Sequence, residues 1–148
     1  KHYDYSDENI LNIFDLFNDL VKKNNLQGIV VPSIRTPKDI ISLSKNKLAS
    51  NSLIIESVDK KAYLSALSLA KYIAITCDST SMISEAALTG KPIYVADIPT
   101  KKNDYRIKKF KELFTKLNII KKLDNKLETW HYEILDETSR IANVIKKN

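Results

Sequence analysis

The sequence has 148 residues, 43% of them hydrophobic and 28% charged, which is the size and composition of one ordinary globular domain. No uninterrupted apolar run approaches the roughly 20 residues of a transmembrane helix, so we expect no membrane-spanning segment. The single cysteine, Cys77, and two distant histidines, His2 and His131, exclude a disulfide framework and argue against a zinc or histidine metal centre. With Gly28 and Gly90 as the only glycines, a Walker A loop or a GxGxxG fingerprint cannot form, which excludes P-loop NTPases and ordinary NAD enzymes.

The start of the sequence bears on the expected extent and location of the protein. It begins at Lys1 and its only methionine is Met82, so we expect it to be part of a longer protein. No secretion signal is visible at its start, which favours a cytoplasmic location. No repeat, low-complexity tract or linker divides the chain, and we therefore expect residues 1–148 to form a single domain.

The positive charge is concentrated in one segment. The formal net charge is +6, and residues 101–126 contain ten Lys and Arg against three Asp and Glu. Such a segment suits phosphate groups, nucleic acid or an anionic membrane face. It is equally typical of the solvated side of an amphipathic helix, because Phe110, Leu113, Phe114 and Leu117 recur at helical spacing. We favour the solvated helix, and we expect no nucleic-acid partner because no base-stacking aromatic pattern is present.

The first half of the chain predicts two helices and two strands. Ser6 or Asp7 caps a helix over about 8–24, and a short β-branched run over 28–32 predicts a buried strand. Thr36 is expected to cap the second helix, which continues to about residue 47 with Pro37 at its first position. A second strand is predicted over 52–56.

The second half continues the alternation. The predicted elements are a helix over 62–71, a strand over 72–76, a helix opened by the polar run 78–81 and ending near residue 88, a strand over 93–96 and then the basic helix. Gly90 suits the left-handed position after the fourth helix. Residues 127–135 are expected to be irregular, and Asp136 to cap a last helix that ends near Lys146.

This alternation of strands and helices predicts an α/β fold, a Rossmann-like parallel sheet with helices on both faces. Ligands of such sheets bind at the carboxyl ends of the strands. Two loops are therefore candidates for a binding site, residues 33–36 and residues 77–81.

The second of these loops opens a helix with hydroxyl side chains. The first amides of a helix lack partners and lie at the positive end of its dipole, so a diphosphate on Ser79, Thr80 and Ser81 would satisfy them. Glu85 follows one turn later on the same face, where its carboxylate could accept hydrogen bonds from a ribose diol. The alternative is a plain helix start, with Asp78 or Ser79 as the N-cap and Glu85 solvated.

The first loop offers a cation to the same rim of the sheet. Arg35 could hold a phosphate through its guanidinium, and Ser33 could bond a phosphate or the base. The alternative is an exposed arginine beside the helix start at Thr36. Of the remaining candidates, Cys77 is interpreted as a small buried residue, and His131 as part of a packing anchor with its aromatic neighbours.

Four motifs in this order resemble one known family. Residues 76–95 resemble its "VTADSVSMVSEA…TGKPVYV" signature, and residues 33–37 resemble its "SRRTP" loop. Arg106 with Phe110 resembles its "RFRRFH" helix, and residues 130–138 resemble its "W.YEPLDET" tail. The sequence is similar in this way to the bacterial and plant family named for the mitochondrial fission (elongated mitochondria) factor, which is built like a GT-B glycosyltransferase. Ile34 and Lys111 stand where the family has an arginine and a histidine.

The resemblance implies the C-terminal, Rossmann-like half of a two-domain GT-B architecture, which binds a nucleoside-diphosphate sugar without a metal or cofactor. By this resemblance Ser79, Thr80, Ser81 and Met82 contact the donor diphosphate and Glu85 the ribose. Ser33, Arg35 and Thr36 complete the expected nucleotide site, and no catalytic residue is assigned. The expected partners are the nucleotide-sugar donor and an N-terminal domain of the same protein.

A second hypothesis belongs to another class. The chain would then be part of a non-catalytic interaction or scaffold protein, peripheral to an anionic membrane surface that it contacts through residues 101–126. Under this hypothesis it is not an enzyme.

Overall fold

The computed structural model describes residues 3–48 and 50–135, which alternate helices and strands along the chain. The elements are α1 Asp7–Lys23, β1 Gly28–Val30, α2 Lys38–Lys47, β2 Ser52–Ile54, α3 Lys60–Leu69, β3 Ile73–Thr76, α4 Thr80–Ala87, β4 Ile93–Ala96, α5 Tyr105–Lys116 and β5 Ile120–Lys122. The helix expected from Asp136 onwards and His2 lie outside the described residues.

The pairs among the five described strands are parallel, as the alternation predicts, and an isolated antiparallel bridge joins Tyr3 to Thr100. β1 pairs with β2, with Gly28 opposite Ser52. β3, β4 and β5 form a second sheet in that order, in which Ile93 of the central strand lies opposite Ile73 on one side and Ile120 on the other. Because parallel strands need crossover connections, each is reached through a helix. The prediction of a Rossmann-like α/β fold is confirmed.

Both faces of the three-stranded sheet are covered. All four residues of β4 are buried, the pattern of a central parallel strand with helices on both sides. Alternate β4 side chains enter two different clusters. Ile93 and Val95 pack in the larger cluster with residues of α4 and α5, and Tyr94 and Ala96 pack in the smaller cluster with Leu20 of α1, Leu123 and Trp130.

The two sheets are separated by a cleft at the point where β1 faces β3. In the described part of the chain no hydrogen-bonded ladder joins these strands. Side chains of α1 and α2 line the space between them, among them Phe14, Phe17, Ile40 and Ile41, and the cleft has a volume of about 230 Å³. The cleft opens towards the carboxyl ends of both strands, since the loops that follow β1 and β3 also line it.

Three local predictions need correction. Thr36 is not the cap of α2: Pro37 occupies the N-cap position, and the Thr36 hydroxyl instead accepts a hydrogen bond from the amide of Ser33 at 2.9 Å. Leu113 and Leu117 were expected in the apolar stripe of α5 but are 52% and 41% exposed. The stripe that packs inward is narrower and centres on Phe114.

The strand β5 was not predicted. It lies at the end of the basic segment. Two of its three residues are Lys121 and Lys122, so it contains no apolar run that would predict a strand. The strand occupies the edge of its sheet, and charged residues are typical of edge strands because they discourage pairing with other chains.

The connections around β4 agree with the sequence analysis. Gly90 has a φ of +71°, the left-handed conformation that glycine adopts without a steric penalty. Trp130 anchors the irregular stretch after β5: its ring is buried, its Nε1 donates to the carbonyl of Asn118 at 2.9 Å, and it meets Tyr94 edge to face. Among the residues that the structure describes, no helix is long and apolar enough to cross a bilayer.

Candidate functional site

The loops after β1 and β3 meet at the mouth of the cleft. Nη2 of Arg35 lies 3.5 Å from the backbone carbonyl oxygen of Asp78, although the two residues are 43 positions apart in sequence. Arg35 is exposed, so its guanidinium faces solvent next to the start of α4. Each loop follows the carboxyl end of a strand, and the two loops meet across the cleft between the two sheets.

The first turn of α4 has free amide groups. Ser79 occupies the N-cap position and is buried, but its hydroxyl makes no capping hydrogen bond. The amides of Thr80, Ser81 and Met82 donate to no described residue, and the first intrahelical bond runs from the amide of Ile83 to Ser79. A helix start with unpartnered amides attracts anions.

The loop after β1 is held by its own hydroxyl groups. The Ser33 hydroxyl accepts a hydrogen bond from the amide of Arg35 at 3.3 Å and lies 3.3 Å from the Thr36 hydroxyl. The amide of Thr36 donates to the Ser33 carbonyl at 3.0 Å. These bonds close a tight turn, which fixes the backbone from which Arg35 projects.

The carboxylate of Asp78 lies at the junction of the two loops. One of its oxygens, Oδ2, accepts a short hydrogen bond from the hydroxyl of Tyr5. The other, Oδ1, is buried and has no hydrogen-bond partner among the described residues. Burial and the bond to Asp78 together raise the pKa of the Tyr5 phenol, which therefore stays protonated as the donor. Asp78 is thus not the helix cap that the sequence allowed.

Glu85 lies one turn into α4 and is held from α3. The hydroxyl of Tyr63 donates to Oε2 of Glu85 at 2.7 Å. Burial first and this hydrogen bond second raise the pKa of the Tyr63 phenol. The second oxygen of the carboxylate has no described partner, so it can accept a hydrogen bond from a ligand. Glu85 is exposed, and this hydrogen bond orients its carboxylate.

The structure gathers most of the expected residues around one opening. Ser33, Arg35, Thr36, Ser79 and Met82 all line the cleft. The side chains of Thr80, Ser81 and Glu85 lie outside its lining, on the first turns of α4 beside it.

Tyr5 and Tyr63 were missed by the sequence analysis. Tyr5 contacts a residue 73 positions away and Tyr63 one 22 positions away, and no spacing rule connects such partners.

The remaining candidates have structural roles. Cys77 is 3% exposed, its sulfur lies 3.3 Å from the amide of Ile98, and burial raises the pKa of its thiol. It is a buried small residue, as interpreted from the sequence, and not a nucleophile. His131 is exposed, and the packing anchor is formed by its neighbour Trp130. Over residues 3–48 and 50–135, no group of three or more His, Cys, Asp and Glu side chains could hold a metal ion.

Comparison with known proteins identifies the family. The chain is 30% identical over 153 aligned positions to the uncharacterized protein RP120 of Rickettsia prowazekii (strain Madrid E), an alignment that covers 99% of the chain and 43% of that protein. It is 26% identical over 120 positions to the mitochondrial fission protein ELM1 of Arabidopsis thaliana, covering 78% of the chain and 28% of that protein. The chain thus spans less than half the length of either relative, and no solved structure matches it significantly. Because the sequence profile of the family described as mitochondrial fission ELM1 matches residues 1–148, the chain belongs to that family.

Proposed function

We propose that the mouth of the cleft between β1 and β3 binds the diphosphate of a nucleoside-diphosphate sugar. The observation that carries the proposal is the set of unpartnered amides at the start of α4, with the guanidinium of Arg35 beside them. Amides at a helix start and an adjacent arginine supply directional donors and positive charge, which a diphosphate needs and a neutral ligand does not.

The rest of the ligand follows from the neighbouring groups. Glu85 lies one turn along α4 from the amides and offers one carboxylate oxygen without a described partner, which can accept a hydrogen bond from a ribose hydroxyl group. The lining of the cleft is mostly apolar. A nucleoside diphosphate engages these groups better than inorganic phosphate, which would not reach the second carboxylate oxygen of Glu85.

In a complete protein, this half would supply the donor site of a metal-independent glycosyltransferase of the GT-B type. The amides of α4 and the guanidinium of Arg35 would stabilise the leaving diphosphate as its charge develops. No catalytic base is assigned to this chain. The proposal therefore assigns donor binding to these residues and leaves the acceptor to the partner half.

The test is calorimetric titration of the complete natural protein with nucleoside diphosphates of each common base. Ser81→Asp should abolish binding, because its carboxylate would occupy the anion position. The folded state should remain intact, since an acidic residue in the first helical turn stabilises a helix by about 0.3–1 kcal/mol.

Ser84→Asp is the matched control. It adds the same charge to an exposed position three residues further along α4. It should retain most of the affinity. The proposal is wrong if no nucleoside diphosphate binds the complete protein, or if both aspartates weaken binding equally.

A further inference from the structure

The outward face of α5 combines exposed apolar side chains with cations. Tyr105, Leu113 and Leu117 are 60%, 52% and 41% exposed, and they recur at intervals of eight and four residues, which places them along one side of the helix. Scattered exposed apolar residues are ordinary on a protein surface. These three lie within about a third of the circumference of α5, with Leu117 at its C-cap, and are here called the α5 stripe.

Positive charge is interspersed with the α5 stripe: the helical spacing places Arg106, Lys109 and Lys116 in the same arc and Lys108 beside it. Arg106, Lys108, Lys109 and Lys116 are exposed and form no ion pair with a described residue, and Glu112 is the acidic side chain among them. Nζ of Lys109 lies 4.7 Å from the centre of the Tyr105 ring, so a cation and an aromatic ring already share one position. Lys111 differs, because it pairs with Asp97 at 2.6 Å and faces the body of the protein.

The opposite side of α5 is anchored, so the stripe cannot turn inward. Phe114 is buried in the larger core cluster, and its ring stacks on Phe110 at a centroid distance of 4.1 Å. The Asp104 side chain caps the start of the helix by accepting from the amide of Ile107. Packing of the inner face therefore fixes the orientation of α5, and its outer face is exposed on the surface of the described chain.

We propose that this outer face binds the surface of an anionic lipid bilayer, with Tyr105, Leu113 and Leu117 entering the headgroup region and the four cations contacting lipid phosphates. Exposed apolar side chains and cations on one helix face suit a membrane interface, where the apolar groups enter the headgroup region and the cations meet anionic lipid. Each Lys or Arg near an anionic surface strengthens partitioning about fivefold. Nucleic acid would use the cations but would gain nothing from the two leucines, so the apolar stripe favours lipid.

The experiment is co-sedimentation of the complete natural protein with vesicles of phosphatidylcholine alone and of phosphatidylcholine with phosphatidylglycerol. Binding should require the anionic lipid and weaken with salt. Lys109→Glu with Lys116→Glu should weaken it by at least about 25-fold, because two attractions are lost and two repulsions appear. Tyr105→Ser with Leu113→Ser should weaken it about tenfold or more without any change of charge.

Helix α3 provides matched controls for both variants. Lys60 and Lys61 are exposed there, as are Leu64 and Leu69. The controls are therefore Lys60→Glu with Lys61→Glu for the charge reversal, and Leu64→Ser with Leu69→Ser for the loss of two exposed apolar side chains. Neither α3 variant should alter vesicle binding. Thermal unfolding of all four variants separates a loss of binding from a loss of folding.

Three outcomes would overturn the proposal: no binding to anionic vesicles at low salt, equal effects of the α3 and α5 variants, or a charge variant that abolishes binding while Tyr105→Ser with Leu113→Ser has no effect. The last outcome would mean that the surface binds anions through its cations without inserting apolar side chains. In that case Tyr105→Ser with Leu113→Ser should bind single-stranded RNA as well as the unaltered protein does. None of these results depends on nucleotide binding, so this proposal and the nucleotide site fail separately.

Discussion

The hydroxyl of Tyr63 on α3 holds the carboxylate of Glu85 on α4 through a hydrogen bond of 2.7 Å. This bond leaves one carboxylate oxygen for a ligand and fixes the direction in which that oxygen points. The raised pKa of Tyr63 keeps the phenol protonated through the neutral and mildly alkaline range, so the bond persists wherever binding is measured. Tyr63 is therefore a positioning residue for the proposed ribose contact.

Tyr63→Phe tests that role. Without the bond, Glu85 must lose its rotamer freedom on binding, so affinity for a ribonucleoside diphosphate should fall about threefold to tenfold. Affinity for the 2′,3′-dideoxy analogue should not change. Titration calorimetry with both ligands measures the ratio, and Tyr72→Phe, whose hydroxyl lies near Thr129 instead, is the control. An equal loss for both ligands would show that Tyr63 has no part in ribose recognition.

Arg35→Ala tests the phosphate contact. A hydrogen bond to a charged group contributes about 1.5–3 kcal/mol, so the affinity for a nucleoside diphosphate should fall about tenfold to a hundredfold. The affinity for the unphosphorylated nucleoside should stay the same, because Arg35 approaches the α4 amides and not Glu85. Lys60→Ala removes one cation from α3 and controls for net charge. A loss that is equal for nucleoside and diphosphate would contradict the assignment.

Tyr5→Phe should destabilise the fold. The Tyr5 hydroxyl is the donor to Oδ2 of Asp78, and Oδ1 of the same carboxylate is already buried without a partner. Removing the donor would leave both oxygens unsatisfied, which costs about 1–3 kcal/mol. Urea denaturation measures the unfolding free energy. An unchanged midpoint would mean that the carboxylate finds another donor.

Tyr3→Phe should have the opposite sign. Tyr3 is 7% exposed and its hydroxyl has no hydrogen-bond partner among the described residues, so its removal should raise the unfolding free energy by up to about 1 kcal/mol. The pair Tyr3→Phe and Tyr5→Phe differ only in which hydroxyl is deleted. If both variants are equally destabilised, the contrast between a satisfied and an unsatisfied hydroxyl is wrong.

The same residue predicts a pH dependence. Burial is the main cause that raises the pKa of Tyr3 from 10.0 to about 12. Between these values the unfolded chain releases a proton that the folded chain keeps, so stability is complete below pH 10 and is lost as the pH rises towards 12. Tyr3→Phe should lose less stability over this interval than the unaltered protein. Urea denaturation at several alkaline pH values measures the difference.

Cys77 should be inert in the folded protein. Its thiol is buried and its pKa is raised, so little thiolate forms and reagents cannot reach it. Labelling with a chromogenic disulfide should be slow under native conditions and fast in urea. Rapid native labelling would show that the segment after β3 opens to solvent.

The sequence predicted the architecture well and the contacts of the site only in part. Four of the five strands follow from β-branched runs beside helical periods, a local signal that survives folding. β5 did not follow, because Lys121 and Lys122 dominate a strand of three residues. The meeting of the loops that carry Arg35 and Asp78 was expected at the edge of one parallel sheet, and the structure brings them together across the cleft between two sheets.

The side-chain contacts of the site needed the structure. A capping preference identifies Ser79 as a helix start but does not reveal whether its hydroxyl is used, and here it is not. Tyr5 and Tyr63 reach their carboxylates across the fold, at separations where no periodicity applies. The exposure of Leu113 depends on how α5 is rotated about its axis against the core. The packing of its inner face determines that rotation, and the helical spacing does not.

In the described part of the chain no backbone ladder joins β1 to β3, and this affects what a bound anion would connect. Arg35 is carried by one sheet and the amides of α4 by the other, so an anion held by both would act as a cross-link between two bodies that share no strand pairing. Occupancy should then slow amide hydrogen exchange in β1 and β2, although neither strand itself contacts the anion. A bound anion would thus connect the β1–β2 sheet to the β3–β4–β5 sheet, which no described backbone ladder does.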